Sequence, residues 1–183
     1  SDTGYAGIGL YASRNCNVYH NTLVDTARKG HAPLYFGITF QDWEPYAGRP
    51  ASVNPSLIDN LVFQGNEGPR IMVYIRYSEE IDGLSALYGL PKMSNNLYFS
   101  AAGSPVFSDQ RPGSLLMDCS LNQWKTHISG DLDSFSADPR LDDTLHLQVG
   151  SPALGRALFL EAVDHDFDGD SRENPPDIGA DEA

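Results

Sequence analysis

Cysteine is scarce in this sequence, and acidic residues far outnumber basic ones. The two cysteines, Cys16 and Cys119, are too few for a disulfide scaffold or a zinc knuckle, and the sequence does not show whether they pair. The chain has 12 lysines and arginines against 25 aspartates and glutamates, a net charge of −13 at pH 7. Because nucleic acids and anionic membranes repel such a chain, we expect neither as a partner.

Long apolar runs and helical periodicity are also missing. No apolar run approaches the roughly 18 residues that a membrane span needs. Helical spacing of apolar residues is not sustained, and 17 glycines and 12 prolines interrupt the chain. With 40% hydrophobic and 20% charged residues, the 183-residue chain is too apolar for disorder and suits one mainly β domain.

An asparagine-centred pattern recurs three times. The segments 18–24, 57–63 and 93–99 each contain an apolar or nearly apolar pair, a polar residue, an asparagine and an apolar run. The shared asparagines, Asn21, Asn60 and Asn96, lie 39 and 36 residues apart. Spacings of this size are typical of solenoid repeats.

These asparagines suit a sharp bend between two strands. A chain that turns within one residue needs a left-handed backbone there, which asparagine tolerates best among the non-glycine residues. Asparagine amides on successive turns can also hydrogen-bond into a ladder. We therefore predict an all-β, right-handed parallel β-helix with Asn21, Asn60 and Asn96 aligned at its corners. The alternative is three unrelated strand starts in a β-sandwich.

Two parts of the sequence resemble the C-terminal coils of secreted, pectate-lyase-like β-helix proteins. The segment 7–22, which contains GIGLY and NCNVYHNT, resembles a standard coil. The segment 124–182 resembles the terminal segment that these proteins often carry, with GSPALG at 150–155, DFDGDSR at 166–172 and DIGADE at 177–182.

The resemblance implies a secreted or cell-surface protein that binds or processes a polysaccharide, lyase-like on acidic glycans if it is an enzyme. The superfamily also holds non-catalytic surface proteins, so a structural or adhesive solenoid segment is the alternative. We expect one domain, with coils and long loop inserts over 1–118 and a terminal coil and irregular acidic cap over 119–183. The start in mid-coil indicates either preceding coils of a longer solenoid or self-association through the open N-terminal end.

Strand alternation predicts which side chains face outward. Arginine, tyrosine and histidine would share one surface, where arginine can bind carboxylates and tyrosine can support a sugar ring, so an acidic polysaccharide is the expected ligand. The alternative is that the arginines pair with Glu79, Glu80 or Asp82. The residues expected outside are Arg70, Met72, Tyr74 and Arg76 on one strand, and His31, Tyr35, Thr39 and Gln41 on another, with Ile71, Val73, Ile75, Leu34, Phe36, Ile38 and Phe40 inside.

Two long inserts, 41–55 and 78–92, are either binding elements or plain coverings of the solenoid flank. The first carries aromatic side chains among prolines. The expected substrate-binding residues are Tyr35, Trp43, Tyr46, Arg70, Tyr74 and Arg76.

Candidate catalytic residues follow from the chemistry that each reaction needs. A uronate lyase needs a cation beside the substrate carboxylate and a base for the neighbouring proton. The candidates are Arg70, Arg76, His31, Lys92 and Tyr74, and no motif fixes them. A glycosidase needs two facing carboxylates, for which Asp42, Glu44 and Asp59 are the nearest choices.

The last 23 residues contain nine acids and one base, Arg172. The spacing Asp164-x-Asp166-x-Asp168-Gly169 matches the start of a calcium loop, but Pro175 stands where a bidentate glutamate is needed. The alternative is a metal-free turn in which Arg172 and backbone N–H groups hold the carboxylates. The predicted Ca²⁺ ligands are Asp164, Asp166, Asp168, Asp170 and Asp177.

Overall fold

The chain winds into a parallel β-solenoid of about three turns, in a computed structural model that describes residues 3–39, 50–80 and 83–183. Each turn contributes one strand to each of three sheets, and neighbouring turns pair in parallel. This arrangement confirms the predicted all-β parallel β-helix and excludes the sandwich alternative. No described helix is long and apolar enough to cross a membrane.

Three sheets form the walls of the solenoid. Sheet 1 contains β1 (Ile8–Tyr11), β4 (Leu34–Gly37), β8 (Ile71–Ile75), β14 (Val106–Asp109) and the antiparallel edge strand β15 (Leu116–Cys119). Sheet 2 contains β2 (Asn17–Tyr19), β6 (Ser56–Ile58) and β12 (Lys92–Ser94). Sheet 3 contains β3 (Thr22–Val24), β7 (Leu61–Gln64), β13 (Leu97–Ser100) and β16 (Phe135–Ser136).

The two predicted inserts contribute additional short strands. From the first, β5 (Ser52–Val53) pairs in parallel with β11 (Leu87–Tyr88) from the second. The strands β9 (Tyr77–Ser78) and β10 (Leu84–Ser85) form an antiparallel pair. The two inserts therefore pair with each other in the same parallel sense as the main sheets, at β5 and β11.

The predicted asparagine ladder is present where sheet 2 bends into sheet 3. Asn21 Nδ2 donates to Asn60 Oδ1 over 3.0 Å, and Asn60 Nδ2 donates to Asn96 Oδ1 over 2.9 Å. Backbone N–H groups of Asn21 and Asn60 donate to the same two oxygens. The ladder ends on Asp131, whose Oδ1 accepts from Asn96 Nδ2 over 3.1 Å. The alignment of the three asparagines is confirmed.

The left-handed residue at each bend is not the ladder asparagine, which corrects the prediction. Positive φ values occur one residue earlier, at His20 (50°), Asp59 (57°) and Asn95 (56°). This division of roles is physically sensible because the preceding residue makes the corner, which leaves the next amide free to point along the solenoid axis.

Aliphatic and aromatic side chains from all three sheets fill the bore. Phe36, Val73, Leu57, Val62 and Tyr98 are among its fully buried members. Such a bore removes one face of every strand from water, at roughly 25 cal/mol per Å² of apolar surface.

Met72 was predicted to face outward and is instead fully buried in the bore. The pairing of β8 with β14 explains the difference. Val106 pairs with Ile71 but Phe107 pairs with Val73, so the register shifts by one residue at Met72. A bulge of this kind interrupts strict alternation, which a period-two reading of the sequence cannot detect.

A short helix, α1 (Leu121–Ile128), covers the C-terminal end of the bore. Ser120 caps its N-terminus in a capping box with Gln123. Trp124 is fully buried, and its ring stacks on Phe107 at 5.6 Å. The end of the solenoid is therefore closed by an apolar helix face.

The acidic segment that follows lies along the flank of sheet 3. The outward-facing Leu61 and Leu97 of this sheet pack against Ala153, Ala157 and Ile178. The backbone of this segment also hydrogen-bonds to successive turns, because Ala180 N donates to Thr22 Oγ1 and Leu158 N donates to Asp59 Oδ2. The acidic cap thus contacts several turns along one side of the solenoid, through hydrogen bonds and apolar packing.

Candidate functional site

Aromatic side chains line the outer face of sheet 1. Tyr35 of β4 is directly paired with Tyr74 of β8, and their ring centroids lie 5.7 Å apart. Tyr11 of β1 approaches Tyr35 edge-on at 5.9 Å. His31, in the turn before β4, stacks on Tyr35 with parallel planes at 4.1 Å. The parallel register therefore builds one continuous aromatic surface from three turns.

Two glycines make room for the Tyr11 ring. Gly9 and Gly37 lie beneath it, and a Cβ atom added at either position would overlap ring atoms of Tyr11. Tyr11 pairs in register with Gly37, so the ring lies across the neighbouring strand. The absence of side chains at Gly9 and Gly37 lets the tyrosine lie close to the sheet.

Tyr35 lies in the predicted surface, but its ring is too buried to contact a ligand. Its neighbours reduce its exposure to 2%. The exposed ring area belongs instead to Tyr11, which is 41% exposed, and to the half-buried Tyr74. We therefore assign Tyr35 a supporting position between the rings that face solvent.

An outward cavity of about 520 Å³ adjoins this surface at the end of β8. Arg76 and His31 both line it, together with Tyr74. No ion pair joins Arg76 to Glu79 or Glu80 within the described part of the chain, although both acids line the cavity. The other lining residues are Tyr35, Tyr77, Ser78 and Gln110.

Burial and charge shift the ionisable groups of this cavity. Burial, followed by the Arg76 charge, lowers the pKa of His31, so its imidazole is neutral at pH 7. The ring nitrogen Nδ1 of His31 is buried and has no hydrogen-bond partner among the described residues. Burial raises the pKa of Tyr74, with Tyr35 adding to the shift and Arg76 opposing it.

Other predicted site residues lie elsewhere. The Arg70 Nε atom donates to Ser104 O over 3.0 Å, and Arg70 lines a separate cavity beside Asp118. Lys92 is exposed at the start of β12, on sheet 2. The structure therefore brings together His31, Tyr74 and Arg76 but separates Arg70 and Lys92 from them.

Several residues named in the sequence analysis lie outside the described residues, namely Phe40, Gln41, Asp42, Trp43, Glu44, Tyr46 and Asp82. The remaining glycosidase candidate, Asp59, is fully buried beneath the C-terminal segment. It lies 3.4 Å from His20 Nε2 and accepts a hydrogen bond from Asn95 Nδ2 at 2.6 Å. This carboxylate is not part of an open groove.

Backbone groups engage two of the predicted calcium ligands. Asp166 accepts from the N–H groups of Asp168 and Asp170 through Oδ1 and from Glu182 N through Oδ2. Asp177 accepts from Gly155 N and Ala183 N. Arg172 donates to Glu182 Oε2 and to backbone carbonyls. Calcium binding by the tail stays a prediction, and these two carboxylates have partners without a cation.

Sequence reasoning missed Tyr11 and Gln110. Alternation along β1 gives a signal for Tyr11, because Ile8 and Leu10 face the bore and Tyr11 must then face outward. Gln110 follows β14 and reaches the cavity only through stacking of the next turn. It accepts from Tyr77 N through Oε1 over 3.4 Å.

Comparisons with known proteins give no family assignment: no family model, no curated protein and no solved structure matches this chain.

Proposed function

We propose that this chain is an extracellular polysaccharide-binding β-solenoid module of the pectate-lyase-like type, with an acidic glycan held on the outer face of sheet 1. The observation that carries the proposal is the guanidinium of Arg76, which lines an outward cavity without a carboxylate partner among the described residues. Arginine binds carboxylates through two parallel hydrogen bonds, so a uronate carboxylate is the expected partner.

The aromatic surface supports the same assignment. Tyr11 and Tyr74 present partly exposed rings beside the cavity, and flat apolar faces of this kind can support sugar rings. Glu79 and Glu80 are exposed at its rim, where they can accept hydrogen bonds from sugar hydroxyls and repel misplaced carboxylates. Together these groups favour an acidic glycan in one orientation.

The proposal extends to catalysis, because the cavity contains a base and a cation of the kind that a lyase reaction needs. In such an elimination, the base takes the proton on the carbon beside the carboxylate and a carbon–carbon double bond forms. The glycosidic C–O bond breaks, and the leaving oxygen takes a proton from water. Neutral His31 would be the base, and Arg76 would neutralise the carboxylate. An adhesive module would bind the same glycan without this chemistry.

Calorimetric titration with polygalacturonate and with a neutral glucan tests the proposal. We expect binding of the acidic polymer alone and at least about tenfold weaker binding for Arg76→Gln, since a charge-assisted pair is worth about 1.5–3 kcal/mol. Arg70→Gln is the matched control because it removes the same charge beside a different cavity. Equal losses in both variants, or no binding by the wild type, would contradict the proposal.

Ultraviolet absorbance of the same mixtures separates lyase from adhesive activity. A new double bond absorbs as the reaction proceeds, and His31→Asn should abolish that signal while leaving binding. Binding with constant absorbance would identify the adhesive alternative and reject the lyase step.

A further inference from the structure

A cluster of metal-ligating side chains lies in the C-terminal segment, away from the glycan cavity. His146 Nδ1 is 2.8 Å from Asp181 Oδ1 and 3.7 Å from Asp168 Oδ2. One ligand atom from each residue lies within 4.8 Å of the other two. Within the ranges 3–39, 50–80 and 83–183, no other group of three histidine, cysteine or acidic side chains meets that distance.

We propose that His146, Asp168 and Asp181 form a Zn²⁺-binding site. Two ligand atoms on one tetrahedral zinc, each 2.0–2.2 Å from the metal, lie about 3.3 Å apart. The observed separations of 2.8 and 3.7 Å from His146 Nδ1 bracket that value. The third separation, between the two carboxylates, is at most 4.8 Å, so side-chain shifts of about 1 Å would place all three atoms around one ion.

The three side chains differ in how firmly they are held. Asp181 is buried, and its Oδ2 accepts from Leu147 N over 2.7 Å, which orients Oδ1 toward His146. A fixed second contact of this kind is typical of oriented metal ligands. Asp168 is exposed, so it can adjust to an ion and leave a coordination position open to water.

No arginine or lysine within the described residues forms an ion pair with Asp168 or Asp181. Arg172, the only arginine or lysine of the last 23 residues, is buried and donates to Glu182 instead. The carboxylates of Asp168 and Asp181 therefore have no arginine or lysine partner among the described residues and could both bind a divalent cation.

The ligand chemistry favours zinc over calcium. Zinc binds both imidazole nitrogen and carboxylate oxygen, whereas calcium takes six to eight oxygen ligands. The proposed site shares only Asp168 with the five acids predicted to bind calcium. It would join the segment that follows the turn at 143–145 to the loops that carry Asp168 and Asp181.

Calorimetric titration of the metal-free protein with ZnCl₂ tests this site, with CaCl₂ and MgCl₂ in parallel. We expect one zinc per chain, a higher melting temperature with zinc, and weak or no response to the other ions. His146→Asn and Asp168→Asn should each weaken zinc binding at least about tenfold, since loss of even an outer-shell partner of a metal ligand costs about 10- to 100-fold. Asp168 is exposed, so its variant should remain folded.

His165→Asn is the matched control. His165 pairs with Asp164 over 2.9 Å in the same segment, but it belongs to no group of three ligands among the described residues. Its variant should bind zinc like the wild type. The proposal is overturned if the wild type binds no zinc, if both ligand variants bind normally, or if His165→Asn removes binding equally. Stronger binding of calcium than of zinc would also reject it.

Discussion

Asn60 shows how one residue can be fixed by the solenoid geometry. Its Nδ2 group donates to Val18 O on the preceding turn and to Asn96 Oδ1 on the following one, each over 2.9 Å. Its Oδ1 accepts from both the side chain and the backbone N–H of Asn21. Because the residue is fully buried, water cannot replace any of these partners.

Asn60→Ala should destabilise the protein by about 2–4 kcal/mol, because it leaves several buried donors and acceptors unpaired. The measurement is the free energy of unfolding in urea. Asn122→Ala, on the exposed side of α1, is the control and should change it by less than about 0.5 kcal/mol. Similar costs for the two variants would argue against the ladder.

His20 and Asp59 form a buried pair that the sequence analysis did not predict. Burial, with help from the Arg172 charge, lowers the pKa of His20 to about 4. Burial raises the pKa of Asp59 to about 6, against hydrogen bonds from Asn95 and Leu158. Both shifts favour the uncharged form of the group, as burial does.

The two pKa shifts have opposite effects on stability. The lowered His20 value contributes stability above pH 6.5 that is lost as the pH falls toward 4. The raised Asp59 value contributes stability at pH below 3.8 that is lost as the pH rises through about 6. The two effects have opposite signs over the same pH range. The pair should therefore leave the free energy of unfolding nearly independent of pH between about 4 and 6.

Asp59→Asn should expose the His20 contribution alone. We expect its free energy of unfolding to fall from pH 6.5 to 4 by about 1–3 kcal/mol more than that of the wild type. Urea titrations of both proteins across this range measure the difference. Parallel pH profiles would mean that the two groups are not coupled to folding in this way.

At the scale of elements, α1 has a clear structural role that the sequence did not reveal. The helix is only eight residues long, and no extended apolar stripe marks it. Its position depends on Phe107 and the end of the bore, which are brought together only by the winding of the chain. Short helices of this type are stabilised by packing more than by intrinsic propensity.

Trp124→Ala should cost about 3–5 kcal/mol, because it removes a fully buried ring from the end of the bore. Thermal and urea unfolding measure this loss. Leu132→Ala is a suitable control, since Leu132 is 73% exposed and its truncation should change stability little. Comparable losses from both variants would mean that α1 does not close the solenoid.

Alternation along the strands predicted most outward and inward side chains correctly. The exceptions are single residues whose positions depend on contacts with other parts of the chain. Phe36, Val73 and Ile75 face the bore as expected. Met72 does not follow the alternation because a register shift between turns places a bulge there. Tyr35 lies in the outer surface but is covered by His31 and by the tyrosines of the two neighbouring turns. Contacts between turns are not encoded in the period of a single strand.

For the whole molecule, the asparagine repeat predicted the winding, whereas the course of the acidic tail was not foreseen. The continuous apolar run of β7 carries a signal for this tail, because a strand with both faces apolar has both faces buried. Leu61 faces the tail and Val62 faces the bore. The sequence could not indicate which segment covers the outer face, because Ile178 lies far away along the chain.

The candidate glycan site was also only partly predictable. Alternation placed Tyr74 and Arg76 on one outer face, and His31 beside them. The separation of Arg70 from this group follows from its contact with Ser104 in the next turn, which strand alternation does not reveal. The proposed site therefore depends on stacking of turns as much as on any one strand.

Residue-resolved NMR with an added oligogalacturonate tests the proposed binding face most directly. The account predicts saturable shifts in resonances of Tyr11, His31, Tyr74 and Arg76, while those of Lys92 and Arg70 stay in place. A neutral oligosaccharide of the same length should leave all six unchanged. Shifts centred on sheet 2 or on the C-terminal segment, with the outer face of sheet 1 unaffected, would contradict the account.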